Sequence, residues 1–364
     1  MSDEWHEEMK EKFKQYGEIL GFKAYTEVKI PRGKIDCMWE LKEPVSEYFV
    51  CFEFETATAG SQIVENLVKT LSLAPQMKPR FLVQVYRDEL KGEYREYIEA
   101  ISRTLPIAVK VITGAGNDVE KASSAIIIEL FNWIGQYADI SKEFIMRLEK
   151  IVPRRNIIKI FHYGELHRGH LEYLDSALRR LERYLLWIKS IPTEKDKNKV
   201  PSEFRSLLEY DVVILSDVSI KYCDVDLLRS FLEYEVKQRG KSMILTGGYG
   251  LTKEYNLELG REYLGGEVGE RFQGVVVKIA KSKDDIGLGL AFKGFNHFRP
   301  TNPEEVVAYW DKDDSPALIV HKVGNGKVII FTSDCSPAWG TPSIGTEEFK
   351  EMWRQIMEKY CISG

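Results

Sequence analysis

Apolar and polar positions change period several times along the 364-residue chain. Between residues 4 and 20 the apolar side chains Trp5, Met9, Phe13, Tyr16 and Leu20 recur at helical spacing, and Gly21 follows. That pattern predicts an amphipathic helix with a glycine stop. Phe22 to Ile30 predicts a strand, and Pro31-Arg-Gly33 a turn. Lys34 to Leu41 and Tyr48 to Thr56 predict two apolar strands joined by the turn-rich Lys42 to Glu47. Gly60 and Ser61 open a helix with Ser61 as N-cap, and Ile63, Val64, Leu67, Val68 and Leu71 form its buried stripe. Strands are expected over Arg80–Tyr86 and Ile107–Ile112. Helices are expected over Glu93–Ser102, Ala122–Trp133 and Ser141–Ile151.

The pattern changes after Pro153-Arg-Arg155, which predicts one domain over 1–152 and a second over 153–364. In the second half, Asn156–Phe161, Leu185–Ile188, Asp211–Ser216 and Ser242–Thr246 predict strands, and helices alternate with them. Asp211-Val-Val-Ile-Leu-Ser216 shows no alternation, the mark of a parallel strand buried on both faces. The expectation is an α/β domain with a doubly wound parallel sheet. Ligands in such sheets bind at the carboxyl ends of strands. The residues there are His162, Tyr163 and Glu165, then Ser216 and Asp217, then Gly247-Gly248-Tyr249-Gly250.

Charge inside the strands draws attention to the first half. A strand has a side-chain period of two, so Glu53 and Glu55 project from one face, and Val50, Phe52 and Phe54 from the other. Phe49 and Cys51 share the acidic face, which is unlike a solvated edge. Two carboxylates there repel each other unless a cation lies between them. If the two apolar strands pair as a hairpin, Asp36 comes near Glu53. On the following helix, Gln62, Asn66 and Lys69 fall on one face.

These residues resemble the core of the PD-(D/E)XK nucleases: an acid on one strand, an acid-x-lysine on the next, and a helix carrying glutamine. The resemblance covers roughly the first 150 residues and implies a restriction-endonuclease-like mixed sheet. It implies Mg²⁺, or Mn²⁺, held by Asp36 and Glu53. Glu55 stands where the family has its lysine, so Lys69 is expected to supply that charge from the helix. Gln62 matches the helix glutamine of some branches.

The second half resembles the class I glutamine amidotransferase-like fold in its ThuA-like branch, a flavodoxin-like sheet. The matching residues are Tyr210–Asp217, Met243–Gly248, Gly324–Gly340 and the helix over Phe349–Tyr360. Tyr249 stands where that family has its nucleophilic cysteine. No histidine with a glutamate two residues on follows it, so the triad is absent and glutamine hydrolysis is not expected. His162, Asp217, Gly248 and Tyr249 are the expected lining of a ligand pocket. His167 and His170 lie three apart without an acid or thiol completing a metal spacing, and a capping or lining role is preferred.

Composition narrows this further. Net charge is −5, with no global basic footprint, so a nucleic-acid substrate would need a local patch. No apolar run reaches the length of a membrane span, and the opening residues are acidic, which predicts a cytoplasmic protein and no membrane partner. Five cysteines without paired spacing predict no disulfide framework. Glutamine and asparagine are scarce beside lysine and glutamate, a bias of thermophile proteins. The expected function is Mg²⁺-dependent hydrolysis of DNA or RNA, or nucleic-acid binding by a decayed relative. In this reading a non-catalytic C-terminal domain binds a small molecule or a second copy of the chain. The alternative is a non-enzymatic assembly or sensor protein in which the acids are structural.

Overall fold

The computed structural model describes residues 4–42, 48–56, 60–73, 79–90, 94, 100, 107–135, 140–165, 167–193 and 200–362. Most of the helix expected over 93–102 and most of the turn over 42–47 lie outside them. Two compact units divide the chain: Met1–Ile157 with Glu182–Leu185, and Ile158–Leu181 with Leu186–Gly364. Among the described residues no helix is long and apolar enough to cross a membrane.

In the first unit, helix α1 (Glu4–Leu20) precedes β1 (Lys23–Ile30), β2 (Gly33–Glu40) and β3 (Tyr48–Glu55). Then come α2 (Gly60–Leu71), β4 (Phe81–Tyr86), β5 (Ala108–Ile112), α3 (Val119–Ile134) and α4 (Lys142–Leu148). The sheet order is β1-β2-β3-β4-β5. β1, β2 and β3 are antiparallel neighbours, and β4 and β5 continue in parallel.

The period-two alternation of β3 divides its two faces. Phe52 and Phe54 lie 4.8 and 5.1 Å, ring to ring, from Phe13 of α1. Trp39 stacks on Phe22 at 5.4 Å, and its indole Nε1 donates to the Phe13 carbonyl at 2.9 Å. Large rings buried on both sides of this contact supply the main hydrophobic stabilisation of the unit. The other face carries Met38, Cys51, Leu67 and Leu82 in a second cluster.

The second unit contains β6 (Ile157–Gly164), α5 (Arg168–Leu178), β7 (Leu185–Pro192), β8 (Val212–Ser216) and α6 (Val225–Ser230). Next are β9 (Ser242–Thr246), α7 (Glu254–Glu258), α8 (Gly260–Leu264), β10 (Gly266–Ser282) and β11 (Ala291–Pro300). β12 (Val306–Trp310), β13 (Pro316–Val323), β14 (Gly326–Phe331) and α9 (Glu347–Ile356) complete it. Its sheet runs β11-β10-β12-β13-β14-β9-β8-β6-β7. The strands from β14 through β9 and β8 to β6 are parallel. The strands from β11 through β10, β12 and β13 to β14 are antiparallel.

The sheet is therefore mixed rather than wholly parallel. The cause is local: Gly324-Asn325 joins β13 to β14 in a two-residue hairpin, which forces an antiparallel pair. Both units are mixed α/β structures with parallel and antiparallel pairing.

Candidate functional site

In the first unit the acids converge. Cys37 pairs with Phe52, which sets Asp36 opposite Glu53 on adjacent strands. Asp36 Oδ2 accepts from the Phe54 amide at 2.8 Å and meets His6 Nε2 at 3.2 Å. His6 lies on α1, and its imidazole is raised from the usual histidine value, first by that Asp36 contact. α2 brings the balancing groups. Lys69 Nζ donates to Glu53 Oε2 at 2.9 Å, and Asn66 Nδ2 donates to Glu55 Oε1 at 2.7 Å. Gln62 lies in α2, but its side chain is outside the described part.

Glu53 is 1% exposed. Burial pushes its carboxyl well above the usual range, Asp36 adds to this, and Lys69 opposes it. Its Oε1 is buried and has no hydrogen-bond partner among the described residues. A buried carboxylate oxygen left without a donor is costly. The donor set is hard oxygen from two facing carboxylates, which suits Mg²⁺ or Mn²⁺. The residues present therefore fit the metal that the nuclease resemblance implies.

Neither His6 nor the Lys10 pair was named in advance. Glu7 accepts from Lys10 at 2.8 Å, and Lys10 also reaches Glu27 at 2.5 Å. Only the docking of α1 on the sheet brings His6 to Asp36.

In the second unit the named pocket residues differ in burial: His162 and Gly248 are buried, Asp217 is part-buried and Tyr249 is exposed. His162 is fully buried. Its Nδ1 meets Asp175 Oδ1 at 2.7 Å and its Nε2 meets Ser216 Oγ at 2.8 Å. Ser190 Oγ donates to Asp175 Oδ2 at 2.6 Å. The order serine–histidine–aspartate matches a nucleophile, base and orienting acid. Ser216, however, is 1% exposed, so the relay is closed to substrate and ties α5 to the sheet.

Asp217, Gly248 and Tyr249 lie at the carboxyl ends of β8 and β9. Asp217 Oδ1 accepts from the Gly250 amide at 2.5 Å. A Cβ on Gly248 would stand 2.3 Å from the Asp217 carboxyl carbon, so only glycine permits this approach. Tyr249 is half exposed, packs 5.6 Å from the Trp339 ring, and has the Arg271 guanidinium 4.5 Å above its own ring.

Two further carboxylates face Asp217: Glu165 after β6 and Asp334 after β14. One carboxylate oxygen from each residue lies within 4.8 Å of the other two. Burial raises all three from the usual carboxylate range, and Asp334 adds to the rise of Glu165 and Asp217. Glu165 stood among the strand-end residues of the sequence reading, but Asp334 was missed. Its signal was present as Thr332-Ser-Asp-Cys335 directly after an apolar strand. His170 Nδ1 stands 3.7 Å from Glu165 Oε2, beside this cluster, while His167 occupies the N-cap position of α5 without a capping side-chain bond.

A family model described as "GATase1_like: Putative glutamine amidotransferase" matches residues 267–361. The C-terminal part of the chain is amidotransferase-like. Comparison with curated proteins finds no match. The cytoplasmic protein STM1381 of Salmonella typhimurium LT2 is 18% identical with TM-score 0.46, covering 56% of this chain and 100% of that one. STM3548, a cytoplasmic protein of Salmonella typhimurium, is 18% identical with TM-score 0.44, covering 56% and 99% respectively. A ThuA-like protein of Parabacteroides merdae is 16% identical with TM-score 0.30, covering 48% and 78%.

Tyr249 occupies the turn after β9, and Cys335 and Cys223 are buried with their thiols pushed up by burial. The expected result of incubating the protein with glutamine is ammonia release no faster than background. Turnover that vanishes in Cys335→Ala or Cys223→Ala would show this account of the turn to be mistaken.

Proposed function

We propose that the N-terminal unit is a divalent-metal-dependent phosphodiesterase of the PD-(D/E)XK type acting on DNA or RNA. The amidotransferase-like unit is then a non-catalytic partner for ligand binding or assembly. The observation that carries this is the placement of Lys69. It comes from α2 yet lies 2.9 Å from Glu53, next to the position where Glu55 replaces the family lysine. Further support comes from the strand order, with three antiparallel strands followed by parallel β4 after a helical crossover. That order is in keeping with a restriction-endonuclease-like arrangement. A parallel core flanked by helices is in keeping with a flavodoxin-like ThuA relative for the second unit.

Asp36 and Glu53 are the residues that would hold Mg²⁺ or Mn²⁺. When bound, such an ion lowers the pKa of water and neutralises charge on a phosphodiester. The protein's own groups do the remaining work. Lys69 opposes the rise of the Glu53 carboxyl and offers a donor to a phosphate oxygen. Asn66 fixes Glu55 as a third oxygen donor or as a base. His6 and the Phe54 amide both bond Asp36 Oδ2, and among the described residues no hydrogen bond falls on Oδ1. Gln62 is placed in this proposal as a phosphate contact.

Calorimetry with Mn²⁺ tests the ligands. Wild type is expected to bind at a site whose affinity falls at least tenfold in Asp36→Ala and in Glu53→Ala. Identical heats in all three proteins would remove the metal. If the wild type cleaves no single-stranded, duplex or branched DNA and no RNA with either ion, and Glu55→Lys is equally inert, the binding or assembly reading replaces hydrolysis.

A further inference from the structure

We propose that Glu165, Asp217 and Asp334 form a second cation site, independent of the N-terminal acids and selective for a divalent ion of calcium size. The three residues leave the carboxyl ends of β6, β8 and β14, which lie in the parallel part of the sheet. Open α/β sheets bind ligands at that edge.

The Asp334 and Asp217 carboxyls are held by neighbouring donors, and Glu165 is held through its main chain. The Ser336 amide donates to Asp334 Oδ1 at 2.9 Å and the Ser336 hydroxyl to Oδ2 at 2.5 Å. The Gly250 amide holds Asp217. The Glu165 amide donates to the Ser216 carbonyl at 2.9 Å, while its own carbonyl takes the Thr193 amide at 2.7 Å. Glu165 and Asp217 both sit at positive φ, +52° and +42°, a cost that non-glycine residues carry where the surroundings enforce it.

A second observation points to a ligand. Glu165 is 4% exposed, and its Oε1 has no hydrogen-bond partner among the described residues, although its carboxyl faces Asp217 and Asp334. His170 lies at 3.7 Å from the other oxygen, too far for a hydrogen bond. Two buried carboxyls, Glu165 and Asp334, with part-buried Asp217 against them need either a shared proton or a cation.

Ligand type favours the larger ion. The three oxygens lie within 4.8 Å of one another, inside the span that one Ca²⁺ can bridge, about 4.6–5.2 Å. Ca²⁺ takes about six to eight oxygen ligands, whereas Mg²⁺ keeps several waters and is rarely caged by protein carboxylates alone. Hard carboxylate oxygens suit such an ion, and no sulfur or imidazole belongs to the set.

The test uses the full chain carrying Glu53→Ala, which removes the N-terminal acid pair from the measurement. Titration with CaCl₂ is expected to show one ion per chain, bound more tightly than Mg²⁺. Asp334→Asn and Asp217→Asn should each weaken it at least tenfold, and Glu348→Gln, an exposed acid on α9, should leave it unchanged. Ca²⁺ should raise the melting temperature of the parent and not of the two variants. If either variant fails to fold by circular dichroism, Glu165→Gln takes its place. Equal Ca²⁺ affinity in parent and variants, or no binding to the folded parent at millimolar Ca²⁺, would overturn the site. In that case a shared proton accounts for the cluster.

Discussion

Lys69→Ala is expected to cut phosphodiester hydrolysis by about 10²-fold or more while metal affinity stays nearly unchanged. Lysine is not a ligand in this site, so the ion's own donors remain. What disappears is the positive group beside Glu53 and the donor facing phosphate, and single charged or hydrogen-bonding groups of this kind are worth about 10²–10³ in rate. Lys69→Arg should restore part of the rate, because the guanidinium keeps the charge but is a poor proton carrier. The same change has a stability signature with a definite sign. Glu53 is raised in the folded state, and removal of Lys69 raises it further. Between the unfolded value of about 4.3 and the folded value, the native state holds a proton that the unfolded state has released. Stability therefore falls as pH rises across that window. Lys69→Ala extends the window upward, so its melting temperature should nearly match wild type at about pH 4–5 and fall behind it by pH 8. Wild-type turnover in Lys69→Ala would leave the pair with a structural role alone. A pH-independent deficit would show that Glu53 is not the group affected.

The second large effect is expected at Gly164, the last residue of β6. Its φ is +151°, and a Cβ there would stand 1.8 Å from the Ser216 carbonyl oxygen. That carbonyl accepts the Glu165 amide, so β6 and β8 cannot separate to make room without losing the bond that places Glu165. Overpacking against backbone and a disfavoured φ each cost about 1–3 kcal/mol. Gly164→Ala should therefore lower stability by about 3 kcal/mol or more, roughly 6–12 °C for a unit of this size. Gly169→Ala is the matched control. Gly169 lies in α5 with nothing within 4 Å of an added Cβ. There alanine restricts the unfolded chain and favours the helix, a gain of about 0.5–1 kcal/mol. Thermal melts of the two variants side by side decide the matter. Equal melting temperatures would show that the β6–β8 crossing is not rigid.

Much of the N-terminal cluster could be inferred from spacing. A period of two puts Glu53 and Glu55 on one face, and a hairpin between Lys34–Leu41 and Tyr48–Thr56 brings Asp36 to Glu53. Helical spacing puts Asn66 and Lys69 on one side of α2. The structure has Lys69 on Glu53 and Asn66 on Glu55. His6 could not be inferred, since its contact with Asp36 depends on how α1 lies over the sheet.

The second unit shows the same division. The unbroken apolar strands at Asp211–Ser216 and Ser242–Thr246 announce a parallel core, whereas the antiparallel half appears only in the pairing of β10 through β14. The relay from Ser216 through His162 to Asp175 needs α5 packed on β6, and no periodicity contains that. The trio is the clearest case. Glu165, Asp217 and Asp334 are separated by 52 and 117 positions in the sequence, and each looks like an ordinary polar residue after a strand. Local pattern determined that apolar strands end at these residues, because side-chain alternation and turn chemistry act over a few positions. Only the order in which β14, β9, β8 and β6 join decided that three carboxyls from distant segments share one buried edge. Strand pairing is settled by long-range hydrogen bonds and burial of both sheet faces, which a one-dimensional pattern does not carry.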